Sequence, residues 1–167
     1  MTIKSTFETA CSNITTMKKS AGILLYRVRK KNLEVLLVHP GGPFFKNKDE
    51  GAWSIPKGEF TDNETGLDAA RREFEEETGF SCSGNFIELT PVKMTSGKTV
   101  YAWALDKDID ASKIKSNEFE MEWPPKSKKM QSFPEIDKAA WFSVAEAKIK
   151  ININQLVFID ELVAHLK

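Results

Sequence analysis

The chain is poor in the side chains that usually announce a zinc or redox centre. Its 167 residues include two histidines and two cysteines. His39 and His165 are too few for a histidine-rich zinc site. Cys11 and Cys82 lie far apart and outside any CxxC spacing, so they read as unpaired thiols of a cytoplasmic protein. An excess of either charge is also missing, with 24 Lys and Arg against 24 Asp and Glu. A neutral chain exerts no global pull on nucleic acid or an anionic membrane, so a charged ligand must be held by a local site. No apolar run approaches the ~18 residues of a membrane span. The N-terminal "MTIKSTFETACSNITTMKKSAG" lacks the apolar core of a signal peptide. Internal repeats and low-complexity tracts are absent as well. The length then suits one domain, able to bury roughly 70% of its unfolded surface.

What is present alternates strands with helices. "AGILLYRVR" (Ala21–Arg29) and "LEVLLVHP" (Leu33–Pro40) are apolar, β-branched runs separated by "KKN", the pattern of a hairpin. "GGPFFKNKDEGAW" reads as a loop with an aromatic pair inside it. "WSIP" reads as a short strand that Pro56 stops. "FIELTPVKM" and "KTVYAWAL" are further strands. A strand with Trp141 then leads to a helix near Val144–Lys148. "NQLVFIDELVAHLK" closes the chain as an amphipathic helix, with Leu156, Ile159, Leu162, Val163 and Leu166 at helical spacing. That order implies an α/β fold, a mixed sheet with helices packed on it. Residues 1–19 are expected to be a flexible leader, because Ile3, Phe7 and Ile14 show no period of 2 or 3.6. Residues 20–167 are expected to form the domain. Nothing in the composition separates a monomer from a homodimer.

The helix between these strands is acidic: four glutamates fall within Glu73–Glu77. Like charges at i and i+4 repel by roughly 0.2–0.5 kcal/mol per pair, so the cluster needs a reason. Thr65 with Asp68 three residues on is an N-cap signal, and Gly79 suits the left-handed position past a helix end. The helix should therefore run from about Gly66 to Thr78. Leu67, Ala70, Phe74 and Thr78 then face the sheet. Glu73, Glu76 and Glu77 share an adjacent face, while Glu75 points away into solvent. Three converging carboxylates are ligands for a hard divalent cation such as Mg²⁺ or Mn²⁺. The alternative is a solvated charged face.

The wider segment "KGEFTDNETGLDAARREFEEETGF" resembles the signature of the Nudix hydrolase family. Gly58, Glu64, Arg72, Glu73, Phe74, Glu76, Glu77, Gly79 and Phe80 fill every position of that box. A nine-position match should arise by chance in well under about one in a million chains. The resemblance implies the Nudix fold, a mixed β-sheet sandwiched between α-helices. It also implies hydrolysis of a pyrophosphate linkage in a nucleoside diphosphate joined to a further group. It carries over Glu73, Glu76 and Glu77 as metal ligands, with the carbonyl near Gly58 as a fourth. It makes Glu64 and Arg72 the supporting pair. Glu76 is the candidate general base; Glu118, Glu120, Glu122 and Glu135 are alternatives.

Substrate choice lies outside the box. "WSIPKGEF" resembles the W-x-x-P-K-G lead into the box in members acting on dinucleoside polyphosphates and diphosphoinositol polyphosphates. Lys57 would meet a phosphate there. Phe44 and Phe45 beside Lys46 offer stacking and charge to a base and its phosphates, although at least one of the two rings is expected in the core. The basic "KSKK" (Lys126–Lys129) either holds outer phosphates or is a solvated loop. Trp141 is expected in the core, and Trp123 at a rim. Dinucleoside polyphosphates are the favoured substrate. Aberrant nucleoside triphosphates, or nucleotide sensing without hydrolysis, are the alternatives.

Overall fold

Ser20 to Tyr26 are buried without a break, so the strand that carries them needs cover on both faces. The computed structural model describes residues 17–167 and shows how that cover is arranged. Cys11 and most of the expected leader lie outside the described residues. In chain order the elements are β1 (Lys19–Arg29), β2 (Asn32–Pro40), β3 (Lys57–Phe60), α1 (Gly66–Thr78), β4 (Ile87–Lys93) and β5 (Thr99–Asp106). They continue with β6 (Glu118–Glu122), β7 (Met130–Pro134), β8 (Ile136–Ser143), α2 (Val144–Lys150) and α3 (Leu156–His165).

β1 and β2 form the expected antiparallel hairpin, with Tyr26 opposite Val35. Its two turn residues, Lys30 and Lys31, have φ of 49° and 67°, the conformation a two-residue turn between twisted strands requires. The main sheet runs β4-β5-β1-β2-β8. β5 lies parallel to β1 and the other pairings are antiparallel, so the sheet is mixed. On its other side β1 has two partners in succession: β3 over Lys19–Gly22, then β2 from Tyr26 onward. Gly22 permits the handover, because a Cβ there would sit 2.5 Å from the Pro56 carbonyl oxygen.

This places a strand where the sequence suggested a stop. Trp53 and Ser54 make only isolated bridges, to Ile151 and Val38, and the strand proper begins at Lys57. Pro56 lacks an N–H, but its carbonyl accepts from Ile23 at 3.2 Å, so pairing resumes directly after it.

α1 covers one face of the sheet. Ala69, Ala70 and Phe74 meet Ala21, Ile23, Leu25 and Leu105 there. α2 and α3 cover the other, where Ala147, Phe158, Ile159 and Leu162 meet Leu24, Leu37, Leu89 and Ala102. Burying a phenylalanine such as Phe74 or Phe158 contributes roughly 1.5–3 kcal/mol. In α3 the apolar stripe holds except at its end, where Leu166 is exposed beyond the last turn.

β6 and β7 form a separate two-stranded arm outside the main sheet. The acidic "NEFEMEW" and basic "KSKK" of the sequence are its stem and its tip.

Candidate active site

α1 has the ends its sequence specifies. Thr65 Oγ1 accepts from the Asp68 N–H at 3.2 Å. At the other end Gly79 adopts a left-handed φ of 79° and its N–H returns to the Glu75 carbonyl at 2.8 Å. With both ends fixed the phase follows: Ala70, Phe74 and Thr78 are buried, Leu67 is partly buried, and Glu75 is exposed. Glu73 turns inward instead of out. Its carboxylate lies against Gly58 of β3, where a Cβ would fall 1.9 Å from Oε2. Only glycine lets the backbone come so near.

Arg72 answers the repulsion in the cluster. Its guanidinium donates to Glu64 Oε1 at 2.6 Å and Oε2 at 3.2 Å, to Glu73 Oε1 at 2.8 Å, and to Glu76 Oε1 at 3.2 Å. One cation thus ties the loop carboxylate to two carboxylates of α1. Glu77 takes a different partner, accepting from the Lys57 backbone N–H at 2.9 Å. Glu77 is thus held by a different partner from the Arg72-bound pair Glu73 and Glu76. Among the described residues, no three acidic, histidine or cysteine side chains gather as a ready-made cage. The helical phase brings the carboxylates to one face, where Arg72 ties Glu73 to Glu76 while the Lys57 N–H holds Glu77.

Burial sets the protonation of these groups. Burial pushes the Glu77 carboxyl up to about 8, against the pull of Lys57 and the Lys57 N–H. Glu73 is raised as well, by burial first, even with Arg72 beside it. Glu135 moves the same way, from partial desolvation and then from the Glu76 charge. Burial lowers the Lys57 ammonium, with Glu77 opposing. Carboxylate and carbonyl oxygens are what a hard divalent cation takes, and Glu73, Glu76 and Glu77 on one helix face, with the Gly58 carbonyl against Glu73, could hold one. A cleft of about 130 Å³ opens beside them, with Pro40, Ser54, Lys57, Glu77 and Glu135 in its wall.

Of the four alternative bases, only Glu135 reaches this wall; Glu118, Glu120 and Glu122 stand on the arm, where Glu118 accepts from Ser132 at 2.9 Å. The adjacency of Glu135 to Glu76 is set by the β7–β8 junction, for which local sequence carries no signal. Phe44, Phe45 and Lys46 sit together on the loop after β2. Neither ring is in the core, contrary to expectation: Phe44 is 59% exposed, and Phe45 is half-buried beneath Lys48. The turn carrying them runs on from the end of β2, beyond both core clusters. Trp141, expected in the core, is half-buried under Arg27, which lies 4.1 Å from its ring, and Trp123 is half-buried against Phe44.

Residues 16–162 match the NUDIX domain. No curated protein matches the chain significantly. Among solved structures, the Ap4A hydrolase of C. elegans in a binary complex is similar, with 19% identity, 90% of this chain and 98% of that chain covered, and a TM-score of 0.62. The NUDIX domain of Shewanella oneidensis NrtR complexed with ADP ribose is similar at 16% identity, covering 90% and 89%, with a TM-score of 0.62. A mutT/nudix family protein from Listeria innocua shares 18% identity over 89% and 93%, with a TM-score of 0.60. Identities this low speak for a common fold.

Proposed function

The chain belongs to the NUDIX family, and from that premise we propose that it hydrolyses a phosphoric anhydride in nucleoside polyphosphates, with dinucleoside polyphosphates ahead of mononucleoside triphosphates. The observation that carries this reading is the seating of Glu73 and Glu77 against the Lys57–Gly58 backbone, with Arg72 holding Glu64, Glu73 and Glu76. Those groups would hold Mg²⁺ or Mn²⁺: three carboxylates and the Gly58 carbonyl. When bound, such a cation neutralises anhydride oxygens and lowers the pKa of water. Glu76 accepts the proton of the attacking water, and Arg72 fixes the carboxylate that receives it. Glu135 is the alternative acceptor, since its raised proton affinity suits a base. Lys57 faces the phosphates from the cleft wall, while Phe44, Phe45 and Lys46, on the loop beside it, face only those parts of a longer substrate that extend beyond the cleft.

A second reading, nucleotide binding without turnover, is favoured by the likeness to a NUDIX domain complexed with ADP ribose. A panel of dinucleoside polyphosphates, triphosphates, nucleotide sugars and diphosphoinositol phosphates, each with Mg²⁺ or Mn²⁺, separates the readings, and product identity shows which bond breaks. Turnover greatest on a dinucleoside polyphosphate is the expected result. Binding without products in every case would leave the sensing reading. In the same assay millimolar Mg²⁺ with a nucleotide analogue should raise the melting temperature, by the mass action of a ligand bound only to the native state. Glu73→Ala should abolish that rise.

The domain is proposed to be self-sufficient from residue 20. A chain beginning at Met17 is expected to keep its fold, metal response and turnover. A loss of several degrees in melting temperature, or a changed oligomeric state, would make residues 1–16 part of the working unit.

A further inference from the structure

Phe44 and Trp123 meet edge to face, with ring centroids 5.5 Å apart and planes at 81°. Neither ring belongs to the core on either side of the sheet. Phe44 comes from the loop after β2, Trp123 from the end of β6, and both segments are rooted in the wall of the cleft. The Gly41 N–H donates to the Glu135 carbonyl and the Glu135 N–H to the Asn117 carbonyl, each at 2.9 Å. Gly42 lies on the Phe119 ring, where a Cβ would come within 3.0 Å. At the loop's far end, the buried His39 ring holds the Lys48 carbonyl at 2.6 Å. Loop and arm are thus anchored side by side next to Lys57, Glu77 and Glu135.

Charge on the arm is segregated. Glu118, Glu120 and Glu122 stay on the stem, and the tip carries Lys126, Lys128 and Lys129 without an acidic neighbour in sequence. Among the described residues the three tip lysines and Lys46, like Lys30, Lys31, Lys93 and Lys115, have no carboxylate within ion-pair distance. The tip is an ordered turn: the Trp123 N–H donates to the Lys129 carbonyl at 2.9 Å, and the Ser127 N–H to the Pro124 carbonyl at 3.1 Å. Lys126 and Lys128 hold left-handed φ of 64° and 59°, which a long side chain adopts only at a cost. The five residues of β6, at about 3.3 Å each, set this tip about 16 Å along the arm from its root.

The exposed Phe44 ring and the half-buried Trp123 ring beside it offer faces on which any nucleobase can stack, and unpaired ammonium groups near them suit phosphates. We propose that Phe44 and Trp123, with Lys46 and the Lys126–Lys129 tip, form a second nucleotide subsite that holds the distal nucleoside and its phosphates when a dinucleoside polyphosphate occupies the cleft. This inference rests on the proposed polyphosphate reading of the cleft. The distance along the arm explains why one ligand would need two nucleosides to occupy both places.

The test is calorimetric binding of methylene-bridged, non-hydrolysable analogues of diadenosine tetraphosphate and of ATP to the full chain with Mg²⁺. Wild type should bind the dinucleotide analogue at least tenfold more tightly. Phe44→Ala and Trp123→Ala should each erase about tenfold of that advantage, leave the ATP analogue within twofold, and leave the melting temperature unchanged. Trp123→Phe should restore the advantage, because stacking needs a ring and no particular polar atom. Lys126→Gln with Lys128→Gln and Lys129→Gln should weaken the dinucleotide analogue and flatten its salt dependence. Equal affinity of wild type for both analogues, or equal losses for both on Trp123→Ala, would overturn the subsite and leave the cleft reading standing. Binding of neither analogue would remove both. Tighter binding of a single-stranded oligonucleotide than of either analogue would reassign the patch to nucleic acid and overturn the proposal.

Discussion

Glu76→Gln should lower kcat by about 10²–10⁴-fold, the usual contribution of a positioned general base, and Glu77→Gln should lower it by orders of magnitude through loss of a cation ligand. Their effects on the metal-free fold should differ. Glu76 is partly exposed and paired with Arg72 at i,i+4, so Gln loses a pair contributing about 0.3–0.5 kcal/mol while relieving repulsion from its neighbours; the two nearly offset. Glu77 has no arginine. Its carboxyl is raised to about 8, chiefly by burial, so its charged form is unfavourable in the fold. A folded pKa above the unfolded value contributes stability that is complete below the unfolded value, near 4.5, and is lost as pH rises through about 8. Glu77→Gln should therefore melt higher than wild type in EDTA, by a margin that widens from pH 6 to pH 9. Its amide oxygen can still accept from the Lys57 N–H. Glu75→Gln, at an exposed position, should change neither rate nor melting temperature. A rate loss at Glu75 matching that at Glu76 would mean the carboxylates act from another face. A shrinking margin at high pH would mean Glu77 is stabilised ionised by Lys57.

How much of this was readable in the chain varies with how local the determinant is. α1 was legible to the residue, because Thr65, Asp68 and Gly79 act within a few positions of one another and the apolar stripe repeats inside one element. The β1–β2 hairpin was legible for the same reason. β3 was not: "KGEF" carries no alternation of apolar and polar residues, and its strand exists because the first half of β1 lacks a partner on that side. The arm was hidden by its own charge. Phe119 and Met121 keep a period of two, but the glutamates between them read as an acidic stretch, and the partner strand lies beyond a lysine-rich turn.

The site divides along the same line. That Glu73, Glu76 and Glu77 share a face follows from 3.6 residues per turn. Where their carboxylates end depends on Arg72 and on the Lys57 N–H, a partner 20 positions away in sequence. Glu135 becomes the neighbour of Glu76 only through the junction of arm and sheet. The aromatic pair shows the limit from the other side. Phe44 and Phe45 looked half core because large rings usually are, yet the loop that carries them turns away from both core layers, and Phe44 finds Trp123 instead.

Gly58→Ala should cost turnover far more than it costs stability. Gly58 does not adopt a left-handed φ, so alanine meets no backbone penalty of that kind and the effect isolates the side chain. The added Cβ would stand 1.9 Å from Glu73 Oε2 and 2.1 Å from Cδ, far inside van der Waals contact. The carboxylate has to leave. It is the end of a flexible chain, so the fold should survive, with the melting temperature down by several degrees as Glu73 gives up its contact with Arg72 and a buried position. Turnover should fall by orders of magnitude, and the Mg²⁺-dependent rise in melting temperature should disappear with it. Shortening the clashing side chain discriminates the cause. Glu73→Asp in the Gly58→Ala background should recover most of the lost melting temperature, because a carboxylate one methylene shorter clears the new Cβ. It should not recover turnover, because the ligand is then displaced. The two changes would be strongly non-additive in stability, as expected for groups in direct contact. Wild-type turnover and an intact metal response in Gly58→Ala would show that the catalytic arrangement does not need Glu73 beside β3, and the assignment of Gly58 and Glu73 to the cation would fall together.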